Sequence, residues 1–311
     1  MTTITVIGPC YNEADNIDEF VSRVTGELEK INLSYQILLV DDGSKDTTWE
    51  KISDHNKKNN NIKGIKLTRN FGHQSAIMAG IEFANSNYVF ISDVDLQDPP
   101  ELLSEMYKKL KEKNLNVVFG KRINNNETFF KKYSSILFYK FFNLISNVEI
   151  NEQTSDFFLI DKKVLSELKK IKEKDIFLRG LIPWFGFKSD FIEFERQKRK
   201  KGETGWSILK MLDFSATAFL SYSNYPMRIS FILSFICIMF FSFLSVYALY
   251  SYFSGNVVKG WTSLFLIISF FNTIIFFILG LIGEYVGRIY LNSKKKPLFI
   301  IEQISESNEN K

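Results

Sequence analysis

Residues 4–44 read ITVIGPCYNEADNIDEFVSRVTGELEKINLSYQILLVDDGS, and the alternation in this stretch decides the fold class. A short apolar run, Ile4 to Ile7, is followed by an amphipathic stretch, Ala14 to Ile31, and then by a second apolar run, Tyr35 to Val40. Working outward, the same alternation recurs: Thr47 to Asn59 is amphipathic, Ile62 to Leu67 apolar, Gln74 to Asn85 amphipathic, and Tyr88 to Ser92 apolar again. Pro100 to Lys113 and Asn116 to Gly120 continue the series. Strand, helix and strand repeated in this way predict an α/β domain with a mainly parallel sheet covered by helices on both faces.

In such a sheet ligands bind beyond the carboxyl ends of the strands. The polar motifs fall there: Tyr11-Asn12-Glu13 follows the first strand, Asp41-Asp42-Gly43-Ser44 the second, and Asp93-Val94-Asp95 the fourth. Neither a dinucleotide-binding glycine fingerprint nor a P-loop is present, so phosphates need another holder. Side chains at i and i+2 of an extended segment project to one side, which lets Asp93 and Asp95 face one divalent cation. Mg²⁺ and Mn²⁺ favour oxygen ligands, and Mg²⁺ commonly takes one or two carboxylates together with substrate phosphates. The bland alternative for a lone D-x-D is a pair of solvated loop carboxylates.

Seven motifs together resemble the inverting family 2 glycosyltransferases of GT-A fold, and among them the polyprenyl-phosphate glycosyltransferases. They are Pro9-Cys10-Tyr11-Asn12-Glu13, Val40-Asp41-Asp42-Gly43-Ser44, Arg69-Asn70-Phe71-Gly72, Asp93 to Pro99, Thr154-Ser155-Asp156-Phe157, Arg199 with Gly202-Glu203-Thr204, and Gly283 to Arg288. The resemblance implies that Pro9, Tyr11, Glu13, Asp42 and Asp93 hold the nucleotide-sugar, and that Asp93, Asp95 and Gln97 organise Mg²⁺ or Mn²⁺. Packing and turn formation are the alternative for Pro9 and Tyr11. Asp156 resembles the aspartate proposed as catalytic base, with Asp95 the second residue placed at the chemistry. A lipid phosphate is already largely dianionic at neutral pH, its second pKa being about 6. Asp156 is therefore expected to orient more than to deprotonate.

A dianionic acceptor approaching a diphosphate needs cations. Arg122, Lys131, Lys132 and Arg199 are the candidates, with Ser135 beside them; a solvated helix start is the alternative for the two lysines. Ser155 stands where the family more often has glycine, and Gly205 where a basic residue commonly follows, which shifts weight to Lys200 or Lys201.

The implied reaction moves a hexose, by resemblance glucose from UDP-glucose, onto undecaprenyl or another polyprenyl phosphate. A GDP-mannose-dependent mannosyltransferase is the near alternative. An inactive membrane scaffold is the alternative of another class. A separate flippase and a homo-oligomer are the implied protein partners.

Ile229 to Phe253 and Trp261 to Gly283, runs of 25 and 23 residues, contain no Asp, Glu, Lys or Arg. A spanning helix needs about 20 apolar residues, so 229–283 reads as a hairpin of two spans, 229–253 and 261–283. Basic residues flank the pair, from Lys198 to Arg228 before it and from Arg288 to Lys296 after it, while the connector holds only Lys259. The catalytic domain, 1–228, and the tail, 284–311, are thus expected on the cytoplasmic side of a cell membrane. Apolar residues mixed with lysines at 129–145 and 206–222 predict interfacial helices, the alternative being stripes packed on the sheet. Met1 to Gly8 leads into a strand pattern, so no signal peptide is expected.

The net charge of +4 gathers around the spans, which argues for anionic headgroups and against nucleic acid. Cys10 and Cys237 fall in different parts of the chain, so no disulfide framework is expected. His55 and His73 have no Cys or His companions at zinc-ligand spacing, and both read as solvated or turn residues.

Overall fold

The computed structural model describes residues 2–123, 154–171, 176–195, 261–293 and 297–305, with Met239 and Phe243. Strand β1 (Ile4–Cys10) is buried along its whole length and pairs in parallel with β2 (Tyr35–Asp41) on one side and β4 (Tyr88–Ile91) on the other. β3 (Ile62–Leu67) extends the parallel run beyond β2. Helices α1 (Ala14–Lys30), α2 (Thr48–Lys58) and α3 (His73–Phe83) are the crossovers between these strands. α4 (Leu102–Glu112) leads from β4 to β5 (Val117–Ile123).

Successive residues of a strand face opposite ways, and the core divides accordingly. Ile37 and Leu39 of β2 join the side chains of α1, α2 and α4 in one cluster, while Leu38 and Val40 join α3 in the other. The expected α/β class, a mainly parallel sheet with helices on both faces, is present.

The series departs from a simple repeat after β5. β6 (Thr154–Asp161) lies between β4 and β5 and runs antiparallel to both. α5 (Lys162–Leu168) and α6 (Leu178–Trp184) follow on the α3 face, and β7 (Ser189–Glu195) returns parallel to β5. The strand order is β7-β5-β6-β4-β1-β2-β3-β8.

Helix α7 (Trp261–Ser293) is 33 residues long and includes all of 261–283. It belongs to a second compact unit, separate from the α/β domain. Among the residues whose side chains are described, no helix is long and apolar enough to cross a membrane. The segments 129–145 and 206–222 lie outside the described residues, as does 229–253 apart from Met239 and Phe243.

The tail expected over 284–311 is corrected in part. Residues 284–293 continue α7, and Ile301–Ile304 forms β8, antiparallel to β3. Leu298, Phe299 and Ile301 pack against the α3-side cluster. Thr68 N donates to Ile300 O at 3.0 Å and Ser305 N to Gly64 O at 2.9 Å, which closes the open edge of β3. Apolar side chains and an unfilled edge outweigh the polar character of the residues that follow.

Removing residues 297–311 uncovers that apolar surface and reopens the edge. At about 1 kcal/mol for each of the three side chains, the α/β domain should melt about 5–10 °C lower. Thermal denaturation followed by circular dichroism checks this.

Candidate active site at the carboxyl ends of the strands

The turns that follow β1 and β2 are knitted together. Asn12 N donates to Ser44 Oγ at 2.9 Å, Lys45 N to Asn12 Oδ1 at 2.9 Å, and Glu13 N to Thr48 Oγ1 at 3.0 Å. Asn12 takes a left-handed φ of 56°, which Asn tolerates better than most residues. Gly43 has φ 67°, and a Cβ there would lie 2.4 Å from the carbonyl carbon of Arg69. Only glycine lets the Asp41–Ser44 turn approach the β3–α3 turn this closely.

Asp42 uses that approach. Its Oδ1 accepts from Phe71 N at 2.7 Å and its Oδ2 from Gly72 N at 2.9 Å. Burial pushes its pKa up, and the two backbone donors oppose the rise. Asp42, expected at the nucleoside, clamps the Arg69–Gly72 turn through these two bonds. Asp41 Oδ1 accepts from Ser44 N at 2.9 Å. Pro9 is buried in β1 opposite Val40, Glu13 accepts from Asn16 Nδ2 at 2.5 Å, and Tyr11 is exposed at the crevice.

Beyond β4 the chain alternates: Asp93, Asp95 and Gln97 are half-buried, while Val94, Leu96 and Asp98 are buried. The backbone here turns rather than running extended, with Leu96 at a left-handed φ of 58°, so a turn stands where the D-x-D spacing predicts an extended segment. Gln97 N donates to Asp95 Oδ1 at 3.1 Å. Asp98 receives a two-pronged bond from Arg122, Nε to Oδ1 at 3.0 Å and Nη2 to Oδ2 at 2.7 Å. Arg122, expected at the acceptor phosphate, is committed to this buried carboxylate; a paired guanidinium fork is the strongest form of such a bond. Its role here is to anchor the loop. Lys131, Lys132, Ser135 and Arg199, with Lys200 and Lys201, lie outside the described residues.

β6 completes the crevice. Its ladder with β4 pairs Tyr88 with Asp161 and Ile91 with Phe158; the same register carried two residues further sets Asp93 opposite Asp156. The His73 ring lies between them, Nε2 3.4 Å from Asp93 Oδ1 and 3.6 Å from Asp156 Oδ2. Asp156 Oδ2 also accepts from Gln74 Nε2 and from Arg179 Nη2, each at 2.9 Å.

Burial pulls the His73 pKa down, but Asp93 and then Asp156 lift it to about 9. Burial pushes Asp93 up to about 6, against the pull of His73 and with further repulsion from Asp95 and Asp98. Burial would raise Asp156 as well, yet Arg179 and His73 hold it well below the usual carboxylate range.

His73, Gln74 and Arg179 are the residues that sequence reasoning missed. His73 and Gln74 had a usable signal, since they follow the Arg69–Gly72 motif at the same sheet edge as the aspartates. Arg179 had none, because its place depends on where α6 packs.

Among the described residues, no three His, Cys, Asp or Glu side chains are grouped to hold a metal by themselves. Two carboxylates and an amide on one side of a loop do fit a cation that completes its shell with phosphate and water.

The family model for glycosyl transferase family 2 matches residues 5–169. An uncharacterized glycosyltransferase of Bacillus subtilis, YkcC, is 38% identical, over 98% of this chain and 95% of that protein. A bactoprenol glucosyl transferase of Shigella phage SfV is 30% identical, over 96% of this chain and 98% of that protein. Among solved structures, mannosyl-3-phosphoglycerate synthase from Rubrobacter xylanophilus is similar with a TM-score of 0.49 and 16% identity, over 70% of this chain and 71% of that one.

Asp93 must be ionised to take a cation, and its pKa of about 6 sets the pH at which it competes with protons. Mn²⁺ affinity should fall as pH drops through 6, by about tenfold per unit below it. Calorimetric titration from pH 5 to 8 tests this, and Asp93→Asn should flatten the profile.

Proposed function

The chain belongs to glycosyl transferase family 2, and from that membership we propose that it moves a hexose from a nucleotide-sugar to a polyprenyl phosphate at a membrane surface. The observation that carries this reading is the match to bactoprenol glucosyl transferases along nearly the whole of both chains. UDP-glucose is the proposed donor and an undecaprenyl-type phosphate the proposed acceptor. Direct attack by the lipid phosphate on the anomeric carbon gives inversion.

The crevice supports the chemistry. Asp93 and Asp95, with Gln97, would hold Mg²⁺ or Mn²⁺ against the donor diphosphate. A bound cation there offsets the charge that grows on the departing nucleoside diphosphate. Tyr11 offers an exposed ring at the mouth of the crevice, suited to stacking on a base. Asp42 supports the site from beneath through the Phe71–Gly72 turn. Arg122 fixes the metal loop through Asp98.

We place the protein at the cell membrane, with residues 229–253 and 261–283 as a spanning hairpin and the termini in the cytoplasm. A polyprenyl phosphate stays near the headgroup plane, so its enzyme has to be held there. What supports the spans is the sequence, since 229–253 and 261–283 carry no Asp, Glu, Lys or Arg and each exceeds the roughly 20 residues that a bilayer needs. A separate flippase would carry the glycosylated lipid onward, and a homo-oligomer fits the same reading.

Purified protein in detergent, given a panel of radiolabelled UDP- and GDP-sugars, Mn²⁺ and undecaprenyl phosphate, should label the lipid from one donor. Chelation of the metal, or Asp95→Ala, should lower the rate about a hundredfold or more, the scale of losing a principal electrostatic group. A folded protein that labels nothing would favour the inactive scaffold.

A further inference from the structure

We infer that Gln74 is a positioning residue of the transfer site: one end of its side-chain amide sets the Asp156 carboxylate, and the other holds the start of α6. The inference rests on the glycosyl transfer proposed above and adds that Asp156 works from a fixed position. Its starting point is the pair of bonds that this amide makes. Nε2 donates to Asp156 Oδ2 at 2.9 Å, and Oε1 accepts from Leu178 N at 3.4 Å.

The chain leaves the amide little freedom. Asp42 clamps the Phe71–Gly72 backbone, α3 begins with the next residue, His73, and Gln74 follows in its first turn. Leu178 opens α6, so its N–H has no partner inside that helix, and Phe177 before it supplies no side-chain cap. A backbone N–H can only donate. Oε1 is thereby turned toward α6, and Nε2 is the end left for the carboxylate. An ionised glutamate could accept from Leu178 but not donate to Asp156, and a methionine has no N–H or O–H to donate.

The buried carboxylate has cations as well. Its Oδ2 accepts from Arg179 Nη2 at 2.9 Å and lies 3.6 Å from His73 Nε2. Those two groups offset its charge, whereas the neutral amide adds direction without adding charge, because a hydrogen bond weakens steeply off line. His73 also stands 3.4 Å from Asp93 Oδ1. Two successive side chains at the start of α3 thus tie the β6 carboxylate to the loop proposed to hold the metal.

The test measures kcat per active site for wild type, Gln74→Met and Gln74→Glu from pH 5 to 8.5, at saturating Mn²⁺, undecaprenyl phosphate and the donor that labels the lipid. Active sites are counted by calorimetric titration with the donor's nucleoside diphosphate and Mn²⁺. Gln74→Met nearly keeps the length and loses the donor; its kcat should fall about tenfold or more at every pH, the scale of one hydrogen bond to a charged group, with the donor KM within twofold of wild type.

Gln74→Glu separates the two ends of the amide. Protonated, it donates to Asp156 and accepts from Leu178 as glutamine does; ionised, it still accepts from Leu178 but meets Asp156 as a second negative charge. The charged groups around that position are Asp156 on β6, Arg179 on α6, His73 on α3 and, beyond the ring, Asp93. Its kcat relative to wild type at the same pH should recover as pH falls and drop toward that of Gln74→Met as pH rises.

Gln74→Met within twofold of wild type overturns the inference. So does a loss that disappears once active sites are counted, since the residue would then serve folding alone. A Gln74→Glu whose ratio to wild type is constant over the range also overturns it, and that reading decides alone should Gln74→Met fail to fold. Wild type that transfers no sugar brings down the function reading and this inference with it; an active wild type with an unaffected Gln74→Met brings down this inference alone.

Discussion

The antiparallel ladder between β4 and β6 is the constraint on which the site depends. A parallel neighbour beside β4 would place its own carboxyl end at the crevice and send a loop out from there. β6 instead brings its amino-terminal end to that edge, so that Asp156 enters the crevice while still part of the strand. Backbone pairing fixes the register, and a slip of one residue would turn Asp156 to the other face of the sheet. Strand pairing thus holds Asp156 rigidly opposite the loop that carries Asp93.

Such placement has an electrostatic cost, because Asp93, Asp95, Asp98 and Asp156 crowd one end of the sheet. Each is balanced differently. Asp98 has the fork of Arg122, Asp156 has Arg179 and Gln74, and Asp93 shares His73. His73 opens α3, where the helix dipole disfavours a cation; two carboxylates within 3.6 Å outweigh that. Asp93 and Asp95 are the two of these carboxylates that keep partly exposed surface, which suits a mobile cation.

Much of this was legible in the sequence where period and position carry the signal. The alternation from Ile4 to Leu67 gave the parallel half of the sheet, and the rule that ligands gather at carboxyl ends put Asp42, Asp93 and Asp95 at one edge. The insertion of β6 was not legible, because its apolar part, Phe157 to Ile160, is a short run that fits a strand in either direction. Nor were the partners of Arg122 and Asp42. A charged residue beside a phosphate site and one clamping a turn look alike until the fold shows what lies opposite: a buried carboxylate for Arg122, two backbone amides for Asp42. Arg179 escaped notice because its neighbours are long-range in sequence and come together only when α6 packs against α3 and β6.

The edge strand β8 adds a constraint of another kind. It closes β3, whose far end leads through the clamped Arg69–Gly72 turn into His73 and Gln74, so the stability of that edge bears on the crevice. The partners are remote: Gly64 N donates to Ser305 Oγ across a separation of 241 residues. Closing so long a loop costs little more than closing a moderate one, since the entropy grows only with the logarithm of length. Its effect is on timing, because the domain cannot complete its sheet until the chain beyond α7 has been made. An open β3 edge is a template for mispairing until then. Lys63 and Lys66 on that strand, the latter meeting Glu302 at 3.4 Å in the finished sheet, are the kind of charge that discourages such contacts in the interval.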